Sequence, residues 1–90
     1  MSNGYKLAAQ RKRAMAIVGA IDAELLRQGV DIIDQAGKVV LLLLGWTDAD
    51  WWNAAQCAGL KTPPSKETQG LVSHFYGLRA KAPLQTSRAS

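Results

Sequence analysis

From residue 5 to residue 28 apolar side chains return at steps of three and four: Leu7, Ala14, Met15, Val18, Ile21, Leu25 and Leu26. That is the period of one helix face, so the spacing predicts a long amphipathic helix with these residues turned to the core. Gly29, after Arg27 and Gln28, is a suitable C-terminal stop. Residues 31–44 carry a second stripe of Ile32, Ile33, Ala36, Val39, Val40, Leu43 and Leu44, with Asp31 placed as N-cap and Gly45 as stop. β-branched residues at 30–33 and 39–40 leave a hairpin open, with VDII and KVVLLL as strands around D-Q-A-G, but the spacing favours helix. The run VVLLLL, 39–44, is apolar nearly all round. It predicts burial on most sides, as the central element or in a dimer interface.

Thr47 opens T-D-A-D, which predicts a capping box at the start of a third helix over 48–58, with Asp48 and Asp50 at its positive end. Pro63 and Pro64 force an extended approach to Ser65, which caps a fourth helix running to about Ala80. Residues 82–90, with Pro83, read as a flexible tail. The prediction is an all-α fold of about four helices in a single domain over 1–81.

A chain of 90 residues buries only ~60% of the surface its unfolded form exposes, so dimerisation is a natural remedy for marginal stability. The hydrophobic fraction of 48% excludes wholesale disorder. A single cysteine, Cys57, allows no intrachain disulfide and suits a reducing compartment. No apolar run approaches the ~20 residues of a membrane span. The apolar segment behind the basic N-terminal residues is broken by Asp22 and Glu24, unlike a secretory signal. A cytoplasmic location with no membrane partner is the expectation.

Charge changes the picture more. Residues 1–30 carry five basic and two acidic side chains, residues 31–60 one and four, and residues 61–90 five and one. Two basic ends flank an acidic middle, within a net charge of +4. Such asymmetry points to a polyanionic partner. Arg11, Lys12 and Arg13 sit in the first half of helix 1, where positive charge opposes the helix dipole, an arrangement that phosphate would favour.

The stretch AAQCAGLKTPPSKETQGLVSHFY, 54–76, joins two helices through a corner. It has a small residue inside the first helix (Ala55), a glycine in the turn (Gly59), an apolar residue after it (Leu60), and an inner face of Leu71, Val72 and Phe75. In the pattern A-x-x-x-G-L followed by S-x-x-T it resembles the helix-turn-helix regulators of bacteria, plasmids and phages, over about 22 of the 90 residues. K-T-P-P makes the turn longer than the family's compact one. The resemblance implies a small transcription regulator or repressor, a homodimer whose helices starting near Ser65 enter the major groove of double-stranded DNA ~34 Å apart. Ser65, Lys66, Thr68 and Gln69 would then be the exposed base-contacting positions. Lys61, Thr62, Arg79 and Lys81 would contact phosphate, with Arg11, Lys12 and Arg13 as a second backbone contact.

Two other readings stand beside it. Trp46, Trp51 and Trp52 lie among Asp48 and Asp50, which repel phosphate, so they suit core or protein contact. That would make the chain a small phage-type adaptor or inhibitor of a host protein. Adjacent Trp51 and Trp52 cannot both face one core from a helix. The third reading is an architectural protein binding nucleic acid without sequence preference. Cys57, among Ala54, Ala55 and Ala58, reads as a buried small hydrophobe, and His74 is alone of its kind. Two Cys/His residues fall short of a structural zinc set, and no catalytic pair or phosphate-binding loop is present. Neither enzyme activity, metal nor cofactor is expected.

Overall fold

A computed structural model describes the backbone of residues 2–89 and the side chains of residues 6–81. It is all-α, with α1 (Ser2–Arg27), α2 (Ala36–Leu44), α3 (Asp48–Cys57) and α4 (Lys66–Ala89). The hairpin alternative for 31–44 is excluded, and among the described residues there is no strand. α1 packs on both α3 and α4, and α2 packs on α4. The two long helices run in the same direction. Arg13 meets residues 62–63 just ahead of α4, whereas Asp22 meets Tyr76 and Arg79 well inside it.

The core is Ala14, Ile17, Val18 and Ile21 from α1, Val39 and Leu43 from α2, Trp51 and Ala55 from α3, and Val72 and Tyr76 from α4. Burying each large aliphatic side chain contributes about 1.5–3 kcal/mol. Ile17, which the expected stripe omits, is fully buried, while Leu7, Met15 and Leu26 of that stripe are exposed. One residue turns 100° on a helix, so the line through 14, 17, 18 and 21 leaves Met15 on the outer side. On α4 the inward row is Thr68, Val72 and Tyr76, at four-residue steps, and Leu71 and Phe75 flank it half-buried.

α2 departs from expectation in two ways. It begins at Ala36, because the Asp31 carboxylate accepts from the backbone N–H groups of Ile33 and Asp34 at 3.0 and 2.9 Å and closes a separate turn. Those bonds hold the Asp31 carboxyl below the usual carboxylate range. Nor is α2 buried on most sides. It presents Ala36, Val39 and Leu43 to the core and leaves Leu41, Leu42 and Leu44 at 69, 51 and 74% exposure. It is a peripheral helix in this chain, not the central one.

Local signals elsewhere act as read. Gly29 and Gly59 adopt φ of +82° and +84° and let Val30 and Leu60 donate back to the Leu25 and Ala55 carbonyls at 3.0 and 2.9 Å. The Thr47–Asp50 capping box is complete: Asp50 N–H donates to Thr47 Oγ1 (3.3 Å) and Thr47 N–H to Asp50 Oδ2 (2.9 Å). Ser65 Oγ accepts from Thr68 N–H at 3.2 Å. α4 continues to Ala89, through the segment read as a tail, whose side chains lie outside the described residues.

Candidate nucleic-acid interface

The helix-turn-helix corner is not confirmed. Ala55 is buried and Gly59 makes its turn, but the main helix contacts are α1 with α3 and α4, and α2 with α4, while α3 and α4 meet only near their starts. The connection runs back along α3. Lys66 Nζ lies 3.7 Å from Asp48 Oδ1, so the start of α4 sits beside the start of α3 rather than beside its end. Asp48, Ala49, Trp51 and Trp52 line a shared groove with residues 63–66 and Gln69. Chain length accounts for this path. The eight residues between Cys57 and Lys66 could reach up to ~26 Å, so even with the turn at Gly59 and bends at 61–62 they cover the ~15 Å rise of the ten residues of α3. The prolines that lengthen the turn thus return the chain the whole length of α3.

The expected base contacts scatter as a result. Thr68 is 1% exposed, because it belongs to the inward row of α4, with its hydroxyl 3.1 Å from Ser65 Oγ. It cannot meet a base edge. Ser65 is exposed, but its oxygen caps α4. Gln69 is half-buried and donates to the Pro64 carbonyl at 3.3 Å. Lys66 alone of the four is exposed without a structural hydrogen bond, and it stands between Asp48 and its neighbour Glu67.

The expected phosphate contacts divide similarly. Arg79 is committed inward. Its guanidinium donates from Nη1 and Nη2 to the two Asp22 oxygens at 3.0 and 3.1 Å, with both side chains about 15% exposed, and lies 4.7 Å from the Phe75 ring centre. The Tyr76 hydroxyl donates to the same carboxylate at 2.6 Å. Bonding to Asp22 holds the Arg79 guanidinium above its already high range, and burial first, then Asp22, pushes the Tyr76 phenol up. Lys81 is exposed but stands ~22 Å along α4 from its first turn.

Of the remaining cations, Arg13 is tied across the fold. Arg13 Nη2 donates to Thr62 Oγ1 at 2.8 Å and to the Thr62 carbonyl at 3.1 Å. This pins the α3–α4 connection to the middle of α1, one residue after exposed Lys61. In the first half of α1 Lys6, Arg11 and Lys12 are exposed, and residues 6–12 include no buried position. At 100° per residue Arg11, Lys12 and Arg13 fan around the helix, and Lys6 and Arg13 share a side two turns apart. Residues 1–21 contain no acidic side chain. The result is a basic rod rather than a flat patch. Nothing in the sequence announces the Arg13–Thr62 link, which spans 49 positions.

The tryptophans are mainly structural. Trp51 is buried, Trp46 lies edge-on to it at 4.9 Å, and Trp52 is half-buried against the start of α4. Cys57 is exposed, not buried: Ala55 takes the inward position and Cys57 stands 200° from it. It lines an open groove of about 630 Å³ between α1 and α3, with Ile21, Leu42, Trp46 and Ala54. Among the described residues no three His, Cys, Asp or Glu side chains gather as metal ligands, and no helix is long and apolar enough to cross a membrane. Compared with known proteins, the chain matches no family model, no curated protein and no solved structure.

Proposed function

We propose that this protein binds duplex DNA through its phosphates, and that the first half of α1, with Lys61, is the contacting element. The observation that carries this reading is the projecting basic rod: Lys6, Arg11 and Lys12 exposed around one helix, exposed Lys61 next to the Thr62 that Arg13 holds, and no carboxylate among residues 1–21. A helix fits the major groove of B-DNA, and cations on several of its sides suit phosphates on both groove walls. Sequence reading from α4 has little support, since Thr68 is buried and Asp48 attends Lys66. The role as a phage- or plasmid-type repressor rested on the corner and is not part of this proposal. What the geometry favours is binding with weak sequence preference.

Fluorescence anisotropy with a short labelled duplex over a salt series tests it. Four phosphates neutralised predict a log–log slope of about −3.6, at ~0.9 per phosphate. Lys6→Ala, Arg11→Ala and Lys12→Ala together should remove most binding and flatten the slope by about three. Lys66→Ala with Gln69→Ala should change little, as should Arg27→Ala, whose partner is Glu24. No binding at low salt, or binding indifferent to the triple substitution, would overturn the reading.

A further inference from the structure

The outer face of α2 is unexplained by DNA binding. Gly37, Leu41 and Leu44 form its outward stripe at steps of four and three, and all are exposed, while Leu42 turns to the groove between α1 and α3. Exposed leucines in such a row mark a contact surface. The charges say what covers it. α2 has no acidic side chain in its first turn, no basic one in its last, and no side-chain cap at Gln35. Its one charged residue, Lys38, lies at the positive end of the helix dipole, where it is disfavoured, and makes no ion pair among the described residues.

A second α2 laid antiparallel answers each point. The C-terminal carbonyls of each helix come to the N-terminal turn of the other, beside its Lys38. About a two-fold axis near Leu41, Leu44 of each copy falls over Gly37 of the other, where a Cβ would meet no atom within 4 Å in the single chain. A two-fold interface needs such self-complementarity, one patch serving both sides. We therefore infer that α2 is a homodimer interface in which the second copy of this chain packs antiparallel through Leu41, Leu44 and Gly37. The inference does not depend on the DNA-binding reading.

Area sets the strength. Nine residues make a helix only ~13 Å long. A face of that length stays below the ~800 Å² per partner of a stable complex. A reversible dimer in the micromolar range is expected, one that survives the salt that releases DNA.

Sedimentation velocity of the full chain without DNA, across micromolar concentrations, is the test. The expected result is a reversible monomer–dimer equilibrium. Leu41→Glu with Leu44→Glu, or Gly37→Leu alone, should weaken it at least tenfold while circular dichroism shows the helices retained. Orientation is read by mixing a Lys38→Cys chain with a Leu44→Cys chain, each also Cys57→Ser. Antiparallel packing gives the mixed disulfide in preference to either self-linked product. A monomer at all concentrations, a dimer indifferent to both sets of substitutions, or preference for self-linked products would overturn the inference. None of these outcomes bears on DNA binding, measured separately.

Discussion

Replacing Arg79 with methionine should be among the most damaging single changes outside the apolar core. Arg79 supplies two of the three side-chain hydrogen bonds to Asp22, whose side chain is 16% exposed. Its removal leaves the carboxylate with the Tyr76 hydroxyl alone. Stranding a buried charge in this way costs ~3–5 kcal/mol, and the residual exposure of Asp22 places the expectation at the lower end, about 3 kcal/mol. For 90 residues total stability is on the order of 5–13 kcal/mol, so a quarter or more of it would go. The melting temperature should fall by about 12–24 °C at ~4–8 °C per kcal/mol. Urea unfolding followed by tryptophan fluorescence reads the change, with Trp51 buried in the core as reporter. Asp22→Asn added to Arg79→Met should recover more than half of the loss, since a neutral amide still accepts from Tyr76. Lys81→Met, at an exposed site on the same helix, is the control. Should Arg79→Met cost no more than Lys81→Met, or Asp22→Asn deepen the loss, the account of this network would be refuted.

Tyr76→Phe should cost about 1.5–3 kcal/mol at neutral pH, as expected for a hydrogen bond to a charged group. The folded phenol is held above its ordinary value of 10.0, so its contribution is complete below about pH 10 and is lost as pH rises beyond it; unfolding across pH 9–12 should therefore be less pH-dependent in the variant than in the parent. Thr47→Ala should destabilise by ~1 kcal/mol and Asp50→Ala by a similar amount, with the double variant costing less than the sum because the two share one capping box; urea midpoints at unchanged slope measure this. Gly59→Ala, at a φ of +84°, should cost ~1–2 kcal/mol, whereas Gly37→Ala, in a helix and facing open space, should stabilise the monomer by up to ~1 kcal/mol; equal effects at the two sites would contradict the backbone assignment.

The reading of the four helices, the two positive-φ glycines, the Thr47 box and the Ser65 cap directly from the chain has a common cause. Each is decided by atoms within five residues of one another, so short stretches carry the whole of the physics. The Asp31 turn shows the limit of that reasoning: the same local bond that caps a helix closed a separate turn one step too early. What only tertiary packing decided is which side of each helix turns inward. A 100° step separates Thr68, fully buried, from exposed Glu67 and half-buried Gln69, and it separates Met15 from Ala14. Both residues of each pair were plausible on composition, and only the neighbouring helix selects between them. Arg79 and Arg13 are the sharper cases. As residues they are ordinary surface cations, and their partners Asp22 and Thr62 lie 57 and 49 positions away. The path of Lys61–Pro64 back along α3, which brings the start of α4 to the start of α3, was likewise beyond local reading. An extended segment says how far the chain can reach, while its direction is set by the helices it has to meet.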